Sequence, residues 1–190
     1  MRKNFGSQSW LYPMPVLIVA TYDADGNANA MNAAWGGIHD TNMLGVCIDP
    51  GHKSAENLKI SKAFTVSIGD AAHVVECDYL GIVSGKNEPD KLKRANLHTE
   101  KSAFVNAPVI VELPMALECK LVSFDEKTGC AVGMIVNVSA DESVLDENGK
   151  ISPEKFEPLT FDPVHHLYRK LGEIAGKAFA DGASLKQHEK

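Results

Sequence analysis

Asn29, Met31, Ala33 and Trp35 recur at every second position within PMPVLIVATYDADGNANAMNAAW, residues 13–35. Side chains alternate across a strand, so these four would share one face. An amide, two small or soft side chains and an indole make poor core material but a good wall for a flat heteroaromatic ligand. The small residues leave room, while the Asn29 amide and the Trp35 ring N–H offer hydrogen bonds to ligand heteroatoms. A strand end filled out with alanines accounts for this stretch alone as readily.

A second stretch suits an anion. His52-Lys53-Ser54 precedes AENLKISK, with Ser54 placed as a helix N-cap and Glu56 in the first turn. A helix start presents unpaired backbone N–H groups and a partial positive charge, to which Lys53 and the Ser54 hydroxyl would add what a phosphate group requires. A plain capped surface helix is the commoner fate of such a segment. Downstream, the basic run Lys91, Lys93, Arg94 reads by itself as a solvated face.

Other chemistries find less support. Asp23-x-Asp25-Gly26-Asn27 has its glycine too early for a calcium loop and lacks the distal glutamate. No GxGxxG, GxxxxGK[ST], GxSxG or HExxH pattern occurs. His165-His166 would diverge by about 100° on a helix and is expected at a surface or interface rather than on a metal. Cys47, Cys77, Cys119 and Cys130 are far apart, without the close ligand pairs of a zinc site, and are expected as free thiols. No metal site and no catalytic acid, base or nucleophile is expected.

The elements that must position these residues follow from periodicity. The apolar run Val16–Ala20 is a buried strand, and Asp23–Gly26 a turn. Gly36-Gly37 and 40–42 read as loop, 44–48 as a short strand, and Phe64, Val66 and Ile68 as alternating positions of another. Asp70 would cap a helix over 71–80, followed by the small-residue loop 81–85. Strands are expected over 109–111, 116–124 and 130–138, the last two joined by a turn at 126–129, with Val132, Met134, Val136 and Val138 alternating. Residues 146–149 form a further turn and 159–161 a short strand. Leu167, Leu171, Ile174, Ala175 and Ala178 recur at helical spacing, which predicts a helix over 165–180 before a polar tail from about 181.

The 190 residues are 44% hydrophobic and 23% charged, values of an ordinary globular domain, and the reading is of one domain over 1–190. A net charge of −6 argues against nucleic acid, whose phosphates need a basic footprint. No apolar run approaches the ~20 residues of a membrane helix, and MRKNFGSQSW lacks a signal peptide's apolar core. A soluble, cytoplasmic chain with no membrane partner is expected.

Taken in order, these pieces resemble the flavin reductase-like family of FMN-binding split barrels, flavoredoxin subgroup. The resemblance runs from Pro15 to about Ala180. It rests on the opening strand and DxDG turn, Asn29 to Trp35, His52-Lys53-Ser54, Phe64-x-Val66, Gly81-x-x-Ser84-Gly85 before Asp90-Lys91, Ala107-Pro108, Leu117-Glu118-Cys119 and Tyr168-x-x-Leu171-Gly172. No single piece is specific, but their order and spacing together are.

The resemblance implies a mainly β fold, a six-stranded antiparallel Greek-key barrel with peripheral helices, usually a homodimer, holding FMN without covalent attachment. It also implies that Asn29 and Trp35 contact the flavin, that His52, Lys53 and Ser54 hold the phosphate, that Lys91 reaches the cofactor, and that the segment of Phe161 lies near the ring. Met31, Asn32, Ala33 and Ala34 complete the expected cofactor wall. Ser54 stands where relatives commonly have threonine, and a histidine frequent in relatives around 128–130 is absent. Three functions fit: an oxidoreductase taking hydride from NADH or NADPH to reduce a flavin or other small acceptor, a non-enzymatic electron carrier between redox proteins, or a barrel that has lost its cofactor.

Overall fold

A computed structural model describes residues 1–186, so 187–190 of the expected polar tail lie outside the described residues. A short strand β1 (Met14–Pro15) leads into β2 (Leu17–Tyr22), which returns as β3 (Ala28–Ala33). The intervening turn is built by Asp23, whose carboxylate accepts from the backbone amides of Asp25 at 3.0 Å and Asn27 at 2.8 Å. Gly26 supplies the left-handed φ of 83° that closes it. Strands β4 (Gly36–Asp40) and β5 (Met43–Cys47) form a hairpin, followed by helix α1 (Lys53–Ser61), β6 (Ala63–Ile68), α2 (Val74–Ile82) and α3 (Lys91–Arg94). Next come β7 (Thr99–Lys101), β8 (Pro108–Ile110), the long hairpin β9 (Met115–Asp125) and β10 (Cys130–Ala140), then α4 (Pro153–Phe156), β11 (Leu159–Asp162) and β12 (Leu167–Lys170).

Seven strands join in one antiparallel sheet in the order β3-β2-β6-β9-β10-β5-β4. Its two edges, β3 and β4, are consecutive in the chain and separated by Ala34 and Trp35 alone. Two residues cannot span a flat seven-stranded sheet, because neighbouring strands lie ~4.8 Å apart. The sheet must therefore curl until its edges meet. Counting β3 and β4 as one strand bent at Ala34–Trp35, this is the expected six-stranded split barrel with helices outside.

Strand β2 is buried on both faces, which is why its sequence is a continuous apolar run. Leu17 and Val19 point into the barrel with Phe64, Val66, Leu117 and Cys119. Val16, Ile18 and Ala20 point outward into a second core under α2, with Cys77, Leu80 and Ile110. The barrel is tight: a Cβ on Gly133 would overlap the Phe64 ring.

The fold departs from the sequence reading in three places. Residues 165–180 do not form a helix. Asp162 accepts from the Val164 and His165 amides at 3.1 Å each, His166 takes a φ of 56°, and the turn returns β12 along β11 with Phe161 opposite Tyr168. Gly172 and Gly176 weaken a helix there, and the expected apolar stripe has no surface to cover, since Leu171 and Ile174 are exposed. Residues 36–40 are strand rather than loop; Gly36 is required because a Cβ would come within 2.8 Å of Val46, Leu17 and the Gly45 carbonyl. The helix expected over 71–80 starts at Val74, after a turn in which Asp70 accepts the His73 amide. The alternation read in β10 belongs to a strand, as expected, and marks its outer face: Met134, Val136 and Val138 are exposed.

Candidate functional site

The free edge of β3 runs between α1 on one face and α2 on the other. Asn29 donates from Nδ2 to the Ser54 hydroxyl at 2.9 Å, while Asn32, on the opposite face, donates to the Cys77 carbonyl at 3.0 Å. Ser54 is thus turned inward and fully buried, and it does not cap α1; the N-cap is His52, which makes no side-chain cap bond. His52, Lys53 and Ser54 at the start of α1 all line the adjoining cleft, where the unpaired amides of a helix N-terminus favour an anion.

That cleft holds about 240 Å³ and brings together Asn29, Met31, Asn32, His52, Lys53, Ser54 and Lys91, with the loop Gly81–Gly85 as its far wall. Gly85 lies against Asn29, and a Cβ there would overlap the Asn29 side-chain oxygen Oδ1. Lys86 in the loop and Glu56 in α1 form an ion pair at 2.5 Å across the cleft's rim. Lys53 is oriented by Asp23, 3.9 Å away. Burial pushes the Asp23 carboxyl up, but the amides of the turn and the Lys53 charge outweigh it and hold the group below its ordinary value.

Lys91 is the cleft's unusual residue. Its side chain is buried, with the residue only 2% exposed, and the ammonium donates to the Leu80 and Val83 carbonyls at 3.4 and 3.2 Å. No carboxylate among the described residues pairs with it, and burial lowers its pKa to about 8. A buried cation without an anion is costly, and an anionic ligand in this cleft would relieve the cost.

Past the end of β3, Ala34 and Trp35 line a second cleft of about 440 Å³. Its walls include Trp10, Met14, Cys47 and Cys130. Trp35 is 58% exposed, and its carbonyl accepts from the Cys47 amide at 2.8 Å. It therefore does not continue the β3 face shared by Asn29, Met31 and Ala33; the chain bends at Ala34 as it crosses from one sheet edge to the other. Along the strand, Asn29 and Trp35 are ~20 Å apart at 3.3 Å per residue. The two clefts lie in sequence along one edge, polar at the Lys53 end and apolar at the Trp35 end.

Two of the expected wall residues lie elsewhere. Ala33 is buried in the barrel core, and Phe161 sits in the outer core, its ring 6.0 Å from that of Tyr168; neither lines a cleft. Sequence reasoning missed the loop's contribution, although Gly81, Ser84 and Gly85 just ahead of Lys91 were a visible sign of close backbone approach. It also missed the pairing of Cys47 with Cys130, which only the β5–β10 register reveals. The arrangement can hold an elongated ligand with an anionic tail and a flat head. Cys47 and Cys130 are the thiols that line its apolar end.

The sequence profile of the flavin reductase like domain matches residues 9–167. Flavoredoxin of Desulfovibrio vulgaris (Miyazaki F) has a structure similar to this one, with a TM-score of 0.91, 38% identity and coverage of 96% of this chain and 100% of that one. Flavoredoxin from Methanosarcina acetivorans gives 0.88 at 28% identity over 98% and 100%. An uncharacterized protein of Aeropyrum pernix is 28% identical over 168 residues, 83% of this chain but 63% of the relative's own length. No helix among the described residues is long and apolar enough to cross a membrane.

Proposed function

Since the chain belongs to the flavin reductase-like family, we propose that it is a flavoprotein that holds FMN without a covalent bond along the edge of β3 and passes hydride or electrons through it. The observation that carries this is the meeting of Asn29, Ser54, Lys53 and the uncompensated Lys91 at the start of α1. When bound, the flavin ring supplies hydride and single-electron chemistry. Lys53, His52, the Ser54 hydroxyl and the first amides of α1 bind the phosphate; Lys91 gains the anion it lacks. Asn29 orients the chain between phosphate and ring, with Met31 and Asn32 beside it. Ala34 leaves space for the ring and Trp35 shields it from water on one side.

The electron donor in this reading is NADH or NADPH, and the acceptor a free flavin or other small molecule. A second reading, a carrier between redox proteins, is favoured by the exposure of Trp35, Trp10 and Leu11 around the ring-end cleft, where a protein could dock. The outward apolar stripe of β10, Met134, Val136 and Val138, supports a homodimer, because such a stripe needs a cover. Free cysteines suit a reducing, cytoplasmic setting.

The test begins with FMN titration of the purified protein. Lys53→Glu puts an anion beside the phosphate and is expected to weaken binding about tenfold or more, ~1.4 kcal/mol or above. Unchanged affinity would remove the phosphate site. Anaerobic mixing of the FMN-loaded protein with NADH or NADPH then separates the readings: rapid bleaching supports the enzyme, and a flavin reduced only by a protein donor supports the carrier.

A further inference from the structure

Cys47 and Cys130 are directly opposite each other in the β5–β10 ladder. The Ile48 amide donates to the Gly129 carbonyl at 2.8 Å, and the Cys47 amide points the other way, to Trp35. The Cys47–Cys130 position is therefore a non-hydrogen-bonded pair, the narrow site of an antiparallel ladder, with Cα atoms ~4.5 Å apart. Opposed residues project from the same side of the sheet, and both cysteines line the Trp35 cleft. A separation near 4.5 Å falls within the 4.4–6.8 Å over which a disulfide closes without backbone movement.

We propose that Cys47 and Cys130 are a redox-active dithiol that closes reversibly to a cross-strand disulfide by exchange with low-molecular-weight disulfides entering the Trp35 cleft. Cys47, the exposed partner, attacks first. Its thiolate displaces one thiolate from the incoming disulfide R–S–S–R and forms a mixed disulfide. The half-buried Cys130 sulfur then attacks Cys47 Sγ, releases the second R–S⁻ and closes the Cys47–Cys130 bond. The two thiol protons leave with the products, so two Cys–SH and R–S–S–R become one protein disulfide and two R–SH. Burial holds Cys130 above the ordinary thiol range, which suits it to resolving rather than initiating. The remaining cysteines are spectators: Cys77 and Cys119 are buried in the cores, their thiols pushed up to about 12. The proposal does not rest on the flavin reading, since it needs only this chain and a small disulfide; because that reading puts the ring in the same cleft, the test is made without flavin.

The experiment treats the native, flavin-free protein with excess oxidised glutathione, removes it, and counts thiols after denaturation. The count is expected to fall from four to two, with a mass loss of two hydrogens, no glutathione adduct, and full reversal by dithiothreitol. Peptide mapping should join the Cys47 and Cys130 peptides. Cys47→Ser and Cys130→Ser should each lose the intramolecular product, whereas Cys77→Ser should retain it. Four thiols remaining, glutathione carried separately on both residues, or a disulfide mapped to any other pair would overturn the proposal. Mapping of the unsubstituted protein decides the matter even where a serine variant misfolds.

Discussion

The Asn29 side-chain amide, on the barrel's free edge, donates to the Ser54 hydroxyl at the start of α1 over 2.9 Å. This bond fastens the strand to the helix tip beside the cleft. Asn29→Ala and Ser54→Ala are each expected to weaken FMN binding several-fold, and a double-mutant cycle should give a coupling of ~1 kcal/mol, the worth of one neutral hydrogen bond. Fluorescence titration of the four proteins measures it. Additive losses would mean that the two residues act separately.

Gly85 tests whether the loop wall is part of the same site. A Cβ there meets Asn29 Oδ1, and the Asn29 side chain is buried and tied to Ser54, so it has little room to retreat. Gly85→Ala should cost about tenfold or more in FMN affinity, ~1.4 kcal/mol, while the melting temperature of the flavin-free protein moves little because the loop can shift outward. An affinity within twofold of the parent would detach the loop from the site.

Lys91 gives the cleft a pH signature. Burial lowers its pKa from 10.5 in the unfolded chain to about 8 in the folded one. Between those values the unfolded state binds more protons, so stability of the flavin-free protein should rise as pH climbs from about 8 to 10.5, by at most ~3 kcal/mol. Below pH 8 the folded protein carries the full cost of the buried charge. Lys91→Met should remove this rise and stabilise the flavin-free protein at neutral pH. FMN binding should show the opposite trend, weakening above pH 8 as Lys91 loses its proton, and Lys91→Met should abolish that dependence. Urea unfolding and FMN titration across pH 7–10.5 read both; flat profiles in the parent would contradict the assignment.

The sequence carried the barrel because its strands are long and locally patterned: Phe64, Val66 and Ile68, or the β9–β10 hairpin, stand out by alternation alone. It brought Lys53 and Ser54 forward together because they are adjacent in the chain and sit on a helix start. What it could not carry was anything set by register or partner. Alternation of Met134, Val136 and Val138 identifies a strand without saying which face is buried, and here it is the outer one. The Cys47–Cys130 contact joins residues 83 positions apart through one ladder register. The C-terminal stripe failed for a related reason: helical spacing at 167–178 was real, but Asp162 and the β11 edge offered the chain a better set of hydrogen bonds. Trp35 was placed on the wrong face because alternation was carried through the bend at Ala34.

Asp162 controls the segment that borders the Trp35 cleft. Its carboxylate, buried beneath the β11–β12 turn, accepts from the Tyr12 hydroxyl, from Arg169 Nε at 2.8 Å and from the His165 and Val164 amides, and it contacts His165 Nδ1 at 3.0 Å. Tyr12 sits in the strap 8–13, most of which lines that cleft. The Tyr12 hydroxyl, with Arg169 and His165, holds the Asp162 carboxyl well below the usual carboxylate range. A depressed folded pKa contributes stability above the ordinary aspartate value of ~3.9 that is lost as pH falls through it toward the folded value. Asp162→Asn should therefore flatten the acid limb of the stability profile, and it should free the strap. Hydrogen exchange of the 8–12 amides is expected to quicken in Asp162→Asn and, less so, in Tyr12→Phe, with a several-fold loss of FMN affinity confined to the ring end and no change in phosphate binding. If the strap exchanges at the parent rate in both variants, the Tyr12–Asp162 bond is not what holds it over the cleft.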